Sequence, residues 1–369
     1  MSLLAREIAL GLADEHETHV ICPSMPISGD VDDMREVGIR LAEWNEGLDY
    51  LAAESFLVRY LEDNRIEVAV FHGGDFSWGV LRRRLSTINK IPRRGRSILL
   101  INHQSNPAFA RMPVREKRSV RERLGGAAGF VAAWVYKNIQ LYHLNYEISV
   151  SEFERRRASR RYPLFRRKFK RIYHSRLDSV DLEPDWWSRK ERLILCVGHY
   201  AYRKGQHVLL RAFARIAARH PTWRLQLVGG TNAGEYHERI ERMLDFLEIR
   251  DRVDLVTETF DPDDYFRRAS IYVQPSLFEA YGLALQEAMH FGCACIGSRV
   301  GGITDSITDP EYLFSSQDDR QLARIIEGLV ENEELLHRRM RESRNFVIES
   351  KLNRASMIAQ YRELYRSLP

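Results

Sequence analysis

Glu279 and Glu287 are the residues of this 369-residue chain whose type and surroundings are best suited to chemistry. They lie on either side of the turn Tyr281-Gly282-Leu283, where an apolar run gives way to residues at helical spacing. The N–H groups at a helix N-terminus bind anions, whereas carboxylates accept hydrogen bonds from hydroxyl groups such as those of sugars and riboses. The simpler alternative is that Glu279 caps the helix and Glu287 faces solvent.

A strand, a tight turn and a helix must position these glutamates. The run 271–275 is apolar and ends in proline, which predicts a buried parallel strand. Apolar residues then recur at helical spacing from Leu283 to Met289, and Gly292 marks the end of the predicted helix. The turn therefore places a helix N-terminus at the carboxyl end of a strand.

A second turn of this kind follows the predicted strand 193–198. Gly198 lets the backbone approach a ligand closely, and Lys204 supplies a compact positive charge suited to a diphosphate. His199 lies in the same turn, and a further predicted strand ends at Gly229.

Strands and helices alternate along the whole chain, which predicts parallel, doubly wound α/β sheets. The predicted strands are 19–22, 68–71, 98–103 and 146–150 in the first half and 193–198, 224–228, 253–256, 271–274 and 294–297 in the second. Ligands bind such sheets at the carboxyl ends of the strands. Five candidates follow predicted strands in this way: His72, His103, Gly198-His199, Gly229-Gly230 and Glu279.

The segment 179–190 interrupts the alternation and is interpreted as an interdomain linker. We expect an N-terminal, acceptor-side domain over residues 1–180 and a C-terminal, ligand-binding domain over 191–345. Residues 346–369 are expected to form a C-terminal helix that packs back toward the first domain.

The run 275–289, PSLFEAYGLALQEAM, followed by Gly301-Gly302-Ile303, resembles the E-x7-E signature of the retaining glycosyltransferases of family 4. The turn after Val197 is similar to the family pattern G-R-x4-K-G, with His199 in the place of the arginine. The resemblance is specific over about 190–310 and architectural elsewhere. It implies the GT-B fold, in which two Rossmann-like, doubly wound α/β domains face a cleft.

The resemblance also implies a role for each candidate. Lys204, together with His199, would hold the diphosphate of a nucleotide sugar. Glu287 would accept hydrogen bonds from the ribose, and Glu279 would face the transferred sugar. His103, in the first domain, would reach the sugar or an acceptor phosphate, and a core histidine is an equal alternative. Glu279, Lys204 and His103 form the implied catalytic set, and the other implied donor-binding residues are Gly198, Gly229, Tyr281, Gly282 and Leu283.

The implied function is a retaining, metal-independent hexosyltransferase that moves a sugar to a hydroxyl of a cell-envelope glycan or a lipid-linked acceptor. The nucleotide sugar is a co-substrate, so no cofactor is expected. Neither Asp-x-Asp triplet, 30–32 or 261–263, follows an apolar strand, and we therefore expect no metal site. The main alternative is a degenerate GT-B subunit that binds a nucleotide or a partner without catalysis. A nucleotide-sugar epimerase on the same fold is a third interpretation.

Positive charge is concentrated in the first half of the chain. The formal net charge is +5, and residues 1–178 carry +8 against −3 for the remainder. Basic runs interleaved with apolar residues suit anionic lipid headgroups or a phosphorylated acceptor, although a solvated basic face is a competing interpretation. No nucleic-acid recognition motif is visible, so we expect peripheral membrane contact and no nucleic-acid partner.

The four cysteines form no CxxC or Cys/His ligand pattern, and no apolar run approaches the roughly 20 residues that cross a bilayer. Both observations favour a cytoplasmic protein, with any membrane contact at the inner face of the cell membrane. A doubly wound domain opens with a strand and a glycine-rich turn, whereas residues 3–14 already predict a helix. We therefore expect such a strand to be encoded upstream of Met1.

Overall fold

A computed structural model describes residues 3–22, 32–43, 60, 63–66, 68–72, 99–104, 134–135, 137–139, 141–142, 144–230, 235–257 and 262–367. For residues 3–5, 21–22, 32, 43, 68–72 and 99–104 it describes the backbone alone. The chain divides into two compact units. Unit 1 comprises Met1–Arg176 and Ile358–Pro369, and unit 2 comprises Leu177–Met357.

Unit 1 contains two parallel sheets. Strands β1 (His19–Cys22) and β2 (Arg40–Glu43) form a pair. A four-stranded sheet has the order β3-β4-β5-β6, and its strands are Val68–His72, Leu99–Gln104, Tyr146–Ser149 and Phe169–Arg171. The described helices of this unit are α1 (Leu3–Leu12), α2 (Asp32–Glu36) and α3 (Glu152–Arg161). The expected strand upstream of Met1 stays a prediction.

The structure confirms four predicted strands of unit 1, namely β1, β3, β4 and β5. Strands β2 and β6 were not predicted. Each ends a sheet in the observed order and carries charged residues, as edge strands commonly do. Neither strand shows the apolar run on which a sequence-based prediction depends.

Unit 2 is built on one parallel sheet of six strands in the order β12-β11-β10-β7-β8-β9. The strands are β7 Glu191–Val197, β8 Arg224–Val228, β9 Val253–Val256, β10 Ala269–Gln274, β11 Ala294–Ser298 and β12 Leu313–Phe314. Counted within the unit, this is the doubly wound order 3-2-1-4-5-6, which reverses between β7 and β10. Five of these strands were predicted, whereas β12 is only two residues long and carries no readable pattern.

Helices connect these strands because their apolar faces pack on the sheet. They are α4 Gln206–Ala217, α5 Glu235–Phe246, α6 Asp263–Arg268, α7 Leu283–His290, α8 Ile303–Ser306, α9 Asp319–Glu331 and α10 Glu333–Glu349, and α11 Arg354–Arg366 follows. Side chains cap three of them: Asp318 accepts from the N–H of Gln321, Asn332 from the N–H of Leu335, and Asn353 from the N–H of Ser356. Within the described part of the chain, no helix is both long enough and apolar enough to span a bilayer.

The segment interpreted as a linker is built into unit 2. Lys190 Nζ donates to the carbonyl oxygens of Phe266 and Phe291 at 2.8 Å each. Trp186 lies so close to Gly292 that a Cβ added there would come within 2.2 Å of the indole ring. Lys190 and Trp186, just before β7, therefore contact the C-terminal ends of helices α6 and α7.

Candidate functional site

The candidate site lies where the strand order of unit 2 reverses. There the turn after β7 meets the turn after β10. The N–H of Leu277 donates to the carbonyl oxygen of Arg203 at 2.7 Å, which ties the two turns together. Gly205 has φ +72°, and a Cβ on it would lie 1.9 Å from the carbonyl oxygen of Pro275. Only glycine allows this approach, because that contact is far below van der Waals distance and the backbone is left-handed.

Lys204 and Glu279 form an ion pair between these turns. Lys204 Nζ donates to Glu279 Oε2 at 2.7 Å, and the two side chains are 16% and 12% exposed. Gly198, which opens the first turn, lies beside the same lysine, since its added Cβ would be 3.7 Å from Lys204 Cδ and Cε. The structure thus brings together three residues that sequence analysis placed at two different strand ends.

Two glycines from beyond β11 fix the backbone at Glu279. The N–H of Gly302 donates to the carbonyl oxygen of Glu279 at 3.0 Å. A Cβ on Gly301, which has φ +53°, would lie 1.7 Å from that same oxygen, and one on Gly302 would lie 2.3 Å from the carbonyl oxygen of Ala280. The sequence pattern included both glycines, but it did not indicate that they pack directly against the backbone of Glu279.

Helix α7 begins directly after this turn, at Gly282 with φ +95°. Among the described residues no side chain caps its first turn, so the amides of Leu283 and Ala284 face no capping side chain and can bind an anion. A Cβ on Gly282 would lie 3.6 Å from Glu279 Cγ, which places the helix start beside the carboxylate. Tyr281 is buried at 4% exposure, and Leu283 is 37% exposed.

Glu287 lies one turn further along α7 and is partly buried. Burial holds the pKa of Tyr272 well above its usual value, and nearby negative charges, those of Glu287 and Glu279 among them, raise it further. Both glutamates therefore act on the same buried phenol, from opposite sides of the turn in sequence. Their assignment to one ligand site stays a prediction.

His199 and Gly229 adjoin the ion pair at the ends of β7 and β8. A Cβ on Gly229 would lie 2.2 Å from the carbonyl oxygen of Gly198, so the two strand ends touch. The His199 ring is exposed, with Nδ1 3.4 Å from the carbonyl oxygen of Gly230. Gln206 Nε2 donates to the carbonyl oxygens of Gly198 and His199 at 3.2 and 3.0 Å. This glutamine, which sequence analysis missed, stabilises the turn by binding two of its carbonyl oxygens.

Aromatic side chains fix the other side of the Lys204 turn. The ring of Tyr202 stacks on His207 with centroids 4.8 Å apart. Burial, together with the charges of Arg211 and Arg239, lowers the pKa of His207 to about 4. His207 is therefore neutral near pH 7, and its Nδ1 lies 2.8 Å from the hydroxyl oxygen of Tyr236.

Two further side chains that sequence analysis missed contact Glu279. Gln274 Nε2 and Ser276 Oγ lie 3.4 and 3.2 Å from Glu279 Oε2 and donate to it. The signal in the sequence was a glutamine and a serine on either side of Pro275 at the end of an apolar strand. Taken alone, those residues are indistinguishable from the ordinary end of a strand.

His103 lies in unit 1, outside this constellation. It pairs in register with His72 on the neighbouring strand β3, and only the backbone of both is described. Of the basic runs in the first half of the chain, residues 82–84, 93–96 and 111–123 fall outside the described residues. Of the described side chains, His220, Glu327 and Glu331 are close enough together to share a metal ion, and none of them belongs to the turns above.

Comparison with known proteins agrees with this geometry. The family model for glycosyl transferases group 1 matches residues 184–346. An uncharacterized glycosyltransferase of Haemophilus influenzae is 30% identical over 149 residues, which cover 40% of this chain and 41% of the relative. N-acetyl-alpha-D-glucosaminyl L-malate synthase of Bacillus anthracis is 29% identical over 198 residues, which cover 53% and 50%. The chain thus spans about half or less of the length of these curated relatives.

The structure of HepE from Anabaena, solved in complex with UDP and glucose, has a TM-score of 0.72 at 15% identity. The superposition covers 99% of this chain and 95% of HepE. At that level of identity the likeness concerns the fold alone, and it confirms the GT-B fold predicted from the sequence.

Gly301→Ala should disrupt the backbone packing at Glu279. The added Cβ would lie 1.7 Å from a carbonyl oxygen at a left-handed residue, so the turn must move. We expect a loss of about 2 kcal/mol or more in the free energy of unfolding. The matched control is Gly328→Ala in α9, where no heavy atom lies within 4 Å of the added Cβ. Alanine should stabilise that helix by up to about 1 kcal/mol. Urea unfolding measures both changes, and a Gly301→Ala variant as stable as the parent would contradict the close packing.

Proposed function

Because residues 184–346 match the family model for glycosyl transferases group 1, we propose that this chain transfers a sugar from a nucleoside diphosphate sugar to an acceptor hydroxyl. The observation that carries the proposal is the ion pair of Lys204 and Glu279 beside the open N-terminus of α7. A cation, free helix amides and a hydroxyl-accepting carboxylate are the groups that a sugar diphosphate requires, and here they lie at the switch point of a doubly wound sheet.

The donor is held through its charged and hydroxyl groups. The diphosphate binds Lys204 and the first amides of α7, which supply positive charge and N–H donors. His199 adds a second donor to the diphosphate, and its contribution depends on its protonation. Glu287 accepts from the ribose hydroxyls, and Glu279 accepts from hydroxyls of the sugar.

The reaction breaks the bond between the anomeric carbon and the diphosphate oxygen. Negative charge grows on the departing diphosphate while the sugar gains oxocarbenium character. Lys204 and the helix amides stabilise that charge because they are already in place before the bond breaks. The acceptor hydroxyl attacks from the face that the diphosphate leaves and gives its proton to the departing diphosphate oxygen, so the configuration is retained. The cationic lysine and the helix N-terminus take the part that a metal ion plays in other transferases, so the transfer is metal-independent.

The acceptor is a hydroxyl of a cell-envelope glycan or a lipid-linked sugar. The charge of +8 over residues 1–178 supports an anionic acceptor or a contact of unit 1 with an anionic membrane surface. His103 lies at the carboxyl end of β4, on the edge of the unit 1 sheet where acceptor-side groups are expected. A non-catalytic nucleotide-binding subunit is the second candidate, and His199 in the place of an arginine favours it.

Lys204→Ala and Glu287→Ala should each weaken nucleotide binding. The loss of a charge-assisted contact costs about 1.5–3 kcal/mol, which is a rise in Kd of roughly 10- to 150-fold. Calorimetric titration with UDP, GDP and ADP measures the effect. Arg242→Ala is the control, because that side chain is 71% exposed on α5 and should leave Kd unchanged. Unchanged affinity in both site variants would exclude this donor site. Tight binding without product from any labelled nucleotide sugar would favour the non-catalytic subunit.

Transfer should retain the anomeric configuration and proceed in excess EDTA. NMR of the product measures the anomeric coupling, and the same reaction with and without EDTA tests the metal requirement. An inverted product would refute the same-face attack. Activity lost in EDTA and restored by Mn²⁺ would refute the metal independence.

The chain should sediment with vesicles that contain anionic lipid and much less with neutral vesicles. Each basic side chain near the surface contributes about 1 kcal/mol, and salt screens the attraction. Sedimentation at low and high salt measures both effects. Equal binding to the two kinds of vesicle at low salt would exclude the membrane contact.

A further inference from the structure

A chain of buried polar groups runs through the end of β10. All six residues of this strand are buried, and Tyr272 and Ser276 have no exposed surface, while Gln274 is 1% exposed. Burying a hydroxyl or an amide is costly unless it is hydrogen-bonded, and apolar residues of similar size would fill this space without that cost. Three buried polar side chains at the alternate positions 272, 274 and 276 therefore require an explanation.

The hydrogen bonds between these buried polar groups all point from Tyr272 toward Glu279. The hydroxyl of Tyr272 donates to Gln274 Oε1 at 2.6 Å, which fixes the amide with Nε2 pointing away from the tyrosine. Gln274 Nε2 donates to Ser276 Oγ at 2.8 Å and lies 3.4 Å from Glu279 Oε2. Ser276 Oγ in turn donates to Glu279 Oε2 at 3.2 Å. This series of hydrogen bonds thus ends on one carboxylate oxygen, Oε2 of Glu279.

That oxygen, Oε2, also accepts from Lys204 Nζ at 2.7 Å. Three donors therefore converge on Oε2, whereas Oε1 of Glu279 has no hydrogen-bond partner among the described residues. The lysine ammonium is a compact charge that neutralises the carboxylate but does not fix its plane. The amide of Gln274 is oriented by Tyr272, and the hydrogen bond from that amide orients the Ser276 hydroxyl toward Glu279. Together they determine which carboxylate oxygen remains available.

We propose that Tyr272, Gln274 and Ser276 are positioning residues that anchor Glu279 by Oε2 and leave Oε1 to accept a hydroxyl of the transferred sugar. This inference rests on the proposed function, in which Glu279 faces that sugar. The anchor matters most when the donor binds, because Lys204 is then shared with the diphosphate and its hold on Glu279 weakens. The buried amide and hydroxyl keep the carboxylate in place through that exchange.

Gln274→Met tests the anchor with a side chain of similar volume. We expect kcat for sugar transfer to fall about tenfold, because Glu279 is no longer held in one orientation. The Kd for UDP, GDP or ADP, whichever the parent binds, should change less than about twofold, because Lys204 remains. The matched control is Gln226→Met on strand β8, a buried glutamine for which the described residues show no contact to Glu279, and it should keep the parental kcat. A Gln274→Met variant that loses binding and turnover by the same factor would overturn the inference.

Gln274→Glu gives a readout that a purely structural role would not change. A second carboxylate against Glu279 disfavours its charged form, so the acid limb of the pH profile for kcat/KM should move up by about one unit. Gln274→Met, which adds no charge, should leave the limb where it is. An unchanged limb in Gln274→Glu would overturn the inference.

A parent chain that transfers no sugar would refute the proposed function, and the anchor is then tested by stability alone. Gln274→Met should lower the urea midpoint in the parent and lower it less in a Glu279→Gln background, because the two side chains interact directly. Midpoint shifts that simply add would overturn the anchor.

Discussion

The contact of Lys204 with Glu279 is the interaction on which the candidate site depends. Without the lysine, the negative charge of Glu279 would repel a phosphate and weaken anion binding at the N-terminus of α7. The lysine offsets that charge before a ligand arrives, and it can turn to the ligand without leaving the carboxylate unsupported. The pair is about six-sevenths buried on each side, so solvent screens it only in part.

The surrounding structure can be understood as the means of holding this pair. Glycines 205, 229, 301 and 302 each let one backbone segment approach another more closely than a side chain permits. They bring the ends of β7, β8 and β10 and the segment after β11 into one small volume. The sheet order supplies the proximity, since β7 and β10 are adjacent strands and the chain leaves their carboxyl ends toward opposite faces of the sheet. Rigidity therefore comes from backbone contact rather than from a large apolar cluster at the site.

The sequence predicted this arrangement in part. The strands of unit 2 that are long and apolar could be placed, because buried parallel strands lack any alternation and end in glycine or proline. Short strands such as Leu313–Phe314 could not be placed, because two residues carry no period. The candidates Lys204 and Glu279 were assigned to strand ends, but their contact joins residues 75 positions apart and depends on a strand order that no local pattern encodes. Gln274 and Ser276 were missed for a related reason, since their role appears only when the burial of the strand end is known.

The glycines beyond β11 have a consequence for how the protein is made. The turn that carries Glu279 takes its shape from Gly301 and Gly302, which follow it in the chain and lie across the β11 strand. During synthesis the ribosome releases Lys204 first, then Glu279, and only later the residues that support the glutamate. Contacts of such long range form late, after the loops between them have closed. A nascent chain therefore has no complete candidate site until Gly302 has emerged and β11 has joined the sheet.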